Sequence, residues 1–153
     1  LNHERIALMM VGPLARLSAE VRDWAAAERD GDGVLMDRPW VRRSLAVVEA
    51  KLEALRLLNW RQAWSMSTGQ VAMEQASGLK VFGSEFYVEG YRALLEILGV
   101  AGMVQAGSPG AVLRGELERH YRATLVLTFG GGVNEVQRDI VAMVGLGLPR
   151  AER

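Results

Sequence analysis

Phe129-Gly130-Gly131-Gly132-Val133-Asn134-Glu135-Val136-Gln137-Arg138 sets three consecutive glycines between two strongly helical patterns. Glycine loses more backbone entropy on folding than any other residue and adds no side chain to a core. A triplet therefore marks a place where the chain needs positive φ or where something must come very close to the backbone. Glycines ahead of a helix N-terminus can also cradle a phosphate with exposed N–H groups. The run does not fit the dinucleotide fingerprint, which needs a preceding strand and another spacing, and no Lys follows as in a Walker A loop. Phosphate cradle and plain tight turn both stay open on these residues, the turn being the stronger reading.

Working outward from this turn, the chain reads as helices. Upstream, Val112, Leu113, Leu117, Tyr121 and Leu125 form the buried stripe of a fourth helix, residues 111–128, opened by Ser108 as N-cap and Pro109. Downstream, a short fifth helix is expected over residues 133–144 with Asn134 as cap. Gly145-Leu146-Gly147-Leu148-Pro149-Arg150 ends the pattern.

The first helix is expected over residues 2–27. Ile6, Met10, Leu14, Leu17, Val21 and Trp24 recur at helical spacing, and Pro13 inside it predicts a kink. Glu28-Arg29-Asp30-Gly31-Asp32-Gly33 is a polar stop. The second helix has Asp37 as N-cap and Pro39 in its first turn. Val41, Leu45, Val48, Leu52, Leu55 and Asn59 make its stripe. The third, residues 70–98, is rich in small residues (Ala72, Ala76, Ser77, Gly78, Gly83, Ser84), which predicts close approach of helix backbones. No segment has strand period. Long helices with short connections predict an all-α, antiparallel (up-down) four-helix bundle with a short additional C-terminal helix.

Composition narrows the function. Lys+Arg and Asp+Glu both count 18 among 153 residues, so there is no net charge to draw nucleic acid or an anionic membrane. With no cysteine there is no disulfide framework, thiolate metal site or Cys nucleophile, which fits a reducing, cytoplasmic setting. Two histidines, His3 and His120, leave little for a metal site, and His120 between Arg119 and Tyr121 reads as solvated. No apolar run reaches the length of a membrane span. Trp60 and Trp64, four apart, read as core or interface. Leu1 stands inside a helical pattern, so the 153 residues read as a fragment of a longer chain.

The segment from Gly132-Val133-Asn134-Glu135-Val136-Gln137-Arg138 through Gly145-Leu146-Gly147 resembles the C-terminus of acyl-CoA dehydrogenases, a Gly-Thr-(Ser/Asn)-Glu-Ile-Gln-Arg turn and helix followed by a Gly-Leu-Gly tail. Arg122 matches an Arg upstream of that turn, and Leu1-Asn2-His3-Glu4-Arg5-Ile6 with Gly12-Pro13-Leu14 is similar to the opening of the same domain. The resemblance implies that residues 1–153 are the C-terminal helical domain of a flavoprotein, its helical and β domains upstream being absent. It implies FAD as cofactor, an acyl-CoA substrate, an electron-acceptor flavoprotein and a homo- or hetero-oligomer formed through the bundle. The implied chemistry is removal of the pro-R α-proton of an acyl-CoA thioester by a desolvated carboxylate, with the β-hydride passing to FAD to leave a trans-2-enoyl-CoA.

In most of the family the base sits at the position held here by Gly131, which has no side chain. A minority carry it on the first helix before an Arg, a position that matches Glu4 before Arg5. The resemblance thus implies Glu4 as base and the Gly131 N–H as a donor to the thioester oxygen. It further implies Arg5, Phe129 and Gly130 at the substrate, and Arg29, Gly132 and Glu135 at the flavin. Three departures stand out. Asp30 to Gly33 replace the rest of an Arg-x-x-Phe-Gly motif after Arg29, Glu96 replaces a Gln near the pyrophosphate, and Val133 replaces the Thr of the turn. A Glu there repels phosphate. This pattern resembles actinobacterial hetero-oligomeric members with fewer flavin sites than chains, which act on bulky acyl-CoAs including steroid side chains. A flavin-poor or non-catalytic partner subunit is the alternative reading.

Overall fold

The structure, a computed structural model, describes residues 8–70 and 72–150. Its α-helices are α1 (Gly12–Ala27), α2 (Pro39–Ser67), α3 (Met73–Leu98), α4 (Glu116–Thr124) and α5 (Asn134–Ile140), which runs on into a wider π-type turn, Val141–Gly145. Side-chain pairings give the directions. Met9 meets Asn59 and Ser18 meets Glu49, so α1 and α2 are antiparallel. Lys51 of α2 pairs with Glu89 of α3. Tyr91 stacks on His120 while Lys80 reaches Thr128, so α4 runs back along α3. The fold is thus the expected all-α up-down bundle with a short C-terminal helix.

Helix α3 is the central element, packed against α1, α2, α4 and α5. The core that the apolar stripes build includes Leu14, Leu17 and Val21 of α1, Val41, Val48, Leu52 and Leu55 of α2, Phe86 and Leu94 of α3, and Leu117 of α4, all almost fully buried. Burial of each such side chain is worth about 1.5–3 kcal/mol. The small residues of α3 receive side chains rather than a second helix backbone. A Cβ on Gly90 would lie 3.0 Å from Leu14 Cδ2, one on Gly83 would lie 2.8 Å from Met9 Cγ, and Gly78 meets nothing within 4 Å.

Several boundaries differ from expectation. Helix α1 starts at Gly12, so residues 8–11 are not helical and Pro13 lies in the first turn rather than at an interior kink. Proline is favoured there because the N–H it lacks would be unpaired anyway. Asp37 does not cap α2. It closes a 3-10 turn, Leu35–Asp37, by accepting the Val34 N–H at 3.1 Å, and Arg38 precedes the helix. The polar stop after α1 closes as a two-residue antiparallel pairing of Arg29–Asp30 (β1) with Gly33–Val34 (β2), tied to α2 by an Arg38–Asp30 ion pair. Ser108 and Pro109 do not start α4. The chain instead passes through three left-handed residues, Leu113, Arg114 and Gly115, before α4 begins at Glu116. Arg16 and Arg114 both pair with Glu116, which holds its carboxyl down at about 2 and fixes this start against α1.

Candidate functional site

The glycine turn lies where α3 gathers both ends of the described chain. Gly131 and Gly132 take φ of 69° and 103°, conformations that β-carbon-bearing residues rarely adopt. Around Gly131 the turn is internally bonded: the Gly130 N–H donates to Val126 O at 2.9 Å and the Gly132 N–H to Phe129 O at 3.2 Å. Gln137 Nε2, buried in α5, donates to Gly131 O at 3.3 Å. The Gly131 N–H has no acceptor among the described residues, and a Cβ at that position would meet nothing within 4 Å. Of the three glycine N–H groups only that of Gly131 is uncommitted, and it lies beside open space, the arrangement an oxyanion-stabilising contact requires.

Asn134 does not cap α5, for Val133 precedes the helix and Asn134 is its first residue. It is buried, and its side chain joins α5 to α3 by donating to Ser84 Oγ and Glu85 Oε1, both at 3.0 Å. Lys80 donates to Thr128 O, Gly132 O and Asn134 Oδ1 at 3.2, 2.7 and 2.6 Å. Arg138 pairs with Glu85 at 2.7 Å.

The same stretch of α3 holds the segment that leads back toward Glu4. Met9 packs on Gly83, and the Tyr87 hydroxyl donates to Met10 O. From α2, Asn59 bonds both the N–H and the carbonyl of Met9, at 2.9 and 2.7 Å. Met10, Pro13, Tyr87, Tyr91, His120, Thr124 and Leu127 then line a small, half-open apolar pocket of about 70 Å³ between this segment and the approach to the turn. Burial pushes the hydroxyls of Tyr87 and Tyr91 up, that of Tyr91 to about 12, so both stay protonated there.

The predicted site residues are thus partly brought together. Glu4 and Arg5 lie outside the described residues. Phe129, Gly130, Gly131, Gly132 and Glu135 form one exposed surface, with Phe129 66% exposed. Arg29 is not part of it. It sits past the far end of α1, roughly 24 Å along that helix, and donates to Asp32 O at 3.4 Å. Glu96 is exposed beside Arg92, 3.8 Å away, and Arg122 is bound to Glu118. Trp60 and Trp64 are 67% and 62% exposed on α2, which removes the core reading and leaves the interface one. Lys80, Asn59 and Tyr87 were missed by sequence reasoning. Asn59 stood in an otherwise apolar stripe, and Lys80 is a lone cation in Ser77-Gly78-Leu79-Lys80-Val81-Phe82-Gly83. Among the described residues no cluster of metal-binding side chains occurs, and no helix is long and apolar enough to cross a membrane.

His120 is half-buried rather than solvated, its ring stacked on Tyr91 with centroids 5.3 Å apart. Burial lowers its pKa below the ordinary value, and Arg119 and Arg16 push the same way against Glu116. The folded state thus favours neutral imidazole. Its contribution to stability is fully present above about pH 6.5 and is lost as pH falls through the window between the ordinary and the lowered value. Urea unfolding midpoints at about pH 7.5 and 5.5 should show an acid-side loss that is smaller in H120Q. An equal loss in both proteins would exclude His120 as its source.

Residues 1–146 match the family model described as acyl-CoA dehydrogenase, C-terminal domain. The chain belongs to the acyl-CoA dehydrogenase family. It is 52% identical over its whole length to acyl-CoA dehydrogenase FadE26 of Mycobacterium tuberculosis (strain ATCC 25618 / H37Rv), of which it covers 39%. The ChsE4-ChsE5 complex of M. tuberculosis contains a chain that superposes with a TM-score of 0.92 at 52% identity, over 98% of this chain and 39% of that one. A structure described as Tcur3481-Tcur3483 steroid ACAD gives 0.89 at 46% identity, over 99% and 38%. The chain thus spans about two-fifths of the length of these relatives. Acyl-CoA dehydrogenases are FAD-dependent oxidoreductases, and the bundle described above is their C-terminal helical domain.

Proposed function

We propose that this chain is the C-terminal part of an FAD-dependent acyl-CoA dehydrogenase that oxidises a bulky acyl-CoA, of the steroid side-chain class, to its trans-2-enoyl-CoA in the cytoplasm. One observation carries the reading. Residues 80–87 of α3 hold both the segment leading back to Glu4, through Gly83 and Tyr87, and the glycine turn with its uncommitted Gly131 N–H, through Lys80 and Ser84. Met9 lies five positions after Glu4, a span of at most about 18 Å. A carboxylate on the first segment and a donor on the turn can therefore serve one thioester.

In this reading Glu4 takes the α-proton, and the Gly131 N–H steadies the negative charge that develops on the thioester oxygen. Arg5, Phe129 and Gly130 line the acyl-CoA. FAD, when bound, supplies the hydride acceptor; Gly132, Glu135 and, at the far end of α1, Arg29 are the residues of this chain that would touch it. The exposed turn and the exposed Arg29 leave room for such a group, but Glu135 and Asp32 add negative charge on the side of its phosphates, and Arg38 is already paired with Asp30. That mismatch favours a flavin site completed by other domains and by a sister subunit, and the exposed Trp60 and Trp64 on α2 suit such an assembly. An electron-acceptor flavoprotein would reoxidise the cofactor. A second reading, in which the chain is a flavin-poor partner subunit, rests on the same acidic hairpin.

Colour separates the two. The full-length protein co-expressed with its sister subunit should be yellow, and an anaerobic steroid side-chain CoA thioester should bleach it. A yellow complex that no acyl-CoA bleaches would end the dehydrogenase reading. A protein that is colourless alone and yellow only with its partner would support the shared site.

A further inference from the structure

We propose that Lys80 is a positioning residue for the reaction, a clamp that holds the glycine turn so that the Gly131 N–H stays aimed at the substrate. The inference rests on the reading of that turn as part of the active site. Three glycines in series have almost no conformational preference of their own, so the direction of the Gly131 N–H must be imposed from outside. Lys80 does this with a single atom. Its ammonium has three hydrogens, and three acceptors converge on it from three parts of the turn: the last carbonyl of the preceding helical stretch, Thr128 O, the last carbonyl of the triplet, Gly132 O, and the first side chain of α5, Asn134 Oδ1. All three donors are used and both ends of the turn are tied to one point on α3.

The peptide that carries the Gly131 N–H lies between these anchors. On one side the Gly130 N–H is bound to Val126 O, and on the other Gly131 O is bound by Gln137 Nε2. Lys80 closes the frame, because besides the 3.2 Å bond from the Gly132 N–H to Phe129 O it is the group that joins Thr128 and Gly132 to one point on α3. The cation is partly desolvated, which lowers its pKa, while Glu135 and Glu85 oppose that effect and favour the charged form. A partly buried cation committed to backbone carbonyls is costly unless every donor is matched, and here every donor is. Ser84 and Glu85, one turn further along α3, bind Asn134 from its other side, so the acceptor is itself held in place.

The test uses the full-length, flavin-loaded complex carrying K80M, which keeps most of the stem and removes the charge. Two readouts are needed. Amide hydrogen exchange over residues 128–134, measured without substrate, should rise at least about tenfold against wild type. With a steroid side-chain CoA thioester, kcat per bound flavin should fall about 10- to 100-fold, the scale of a misplaced catalytic contact, while KM moves by less than about threefold. A merely structural lysine would lower yield or Tm and leave kcat per flavin unchanged. Unchanged exchange would overturn the clamp, and faster exchange with undiminished kcat would overturn its role in the reaction. Should K80M fail to assemble, K80R serves. It keeps the charge, but a planar fork cannot place one nitrogen among three acceptors, so the same exchange and kcat changes are expected in weaker form, and their absence overturns the proposal. Failure of the underlying site reading shows separately, as full turnover by a Glu4 variant, and leaves the exchange result untouched.

Discussion

Glu4→Gln in the full-length, flavin-loaded protein is expected to lower turnover by about 10²- to 10⁴-fold while flavin stays bound, since positioned general bases contribute on that scale. The substitution keeps size and hydrogen-bonding capacity but removes the ability to accept a proton. The family resemblance aligns Gly131 with the position where most members carry the carboxylate, and at φ 69° with nothing within 4 Å this residue has the space but not the side chain for one. A dehydrogenase built this way needs its base elsewhere, and the segment tethered by Asn59, Gly83 and Tyr87 leads to the one carboxylate that precedes an Arg at the domain's start. Stopped-flow reduction of the flavin is the direct measurement, because it reports proton and hydride removal without the later reoxidation. Reduction at the wild-type rate would sink the assignment. Retained flavin spectra in the variant are part of the expectation, since Glu4 has no assigned role in holding the cofactor.

The second large effect falls on stability, at Gly115. It has nearly the φ of Gly131, 66° against 69°, yet the surroundings are opposite. A Cβ on Gly115 would lie 2.4 Å from Ala106 N, 2.6 Å from Ala106 Cα and 2.9 Å from the Gln105 carbonyl carbon. These are backbone atoms and cannot swing aside. Gly115→Ala therefore combines the left-handed penalty, about 1–2 kcal/mol, with an overpacking penalty of about 1–3 kcal/mol. The expected loss is about 2–5 kcal/mol, a large share of a typical domain's stability. Gly131→Ala carries only the first penalty. Urea unfolding of the two variants side by side should rank them in that order, and a Gly115→Ala loss below about 1 kcal/mol would show that residues 105–106 can move away.

Much of the bundle was legible because it depends on periodicity. The stripes of Leu14, Leu17 and Val21, of Val41, Leu45, Val48, Leu52 and Leu55, and of Leu117 all turned inward as their spacing required. Helix ends were less legible. Pro13, Asp37 and Ser108 each have the chemistry of a helix start, but only Pro13 serves as one, because caps compete with alternatives nearby. Asp37 found the Val34 N–H first, and the α4 start was moved seven residues beyond Ser108, to Gly115, by its packing on residues 105–106.

By itself the amino-acid sequence determined the helical class, the apolar stripes, the glycine turn and the family, because all of these are local patterns of residue type. Only the tertiary structure decided what the polar residues do. Asn134 reads locally as a cap and is a buried tie to Ser84 and Glu85; Asn59 falls on the stripe of the second helix and is a tether for Met9; Lys80 carries no local signal of a role and holds the turn. Their partners lie about 50 residues away in the chain. A hydrogen bond depends on where two atoms finally meet, and no spacing along one helix records that.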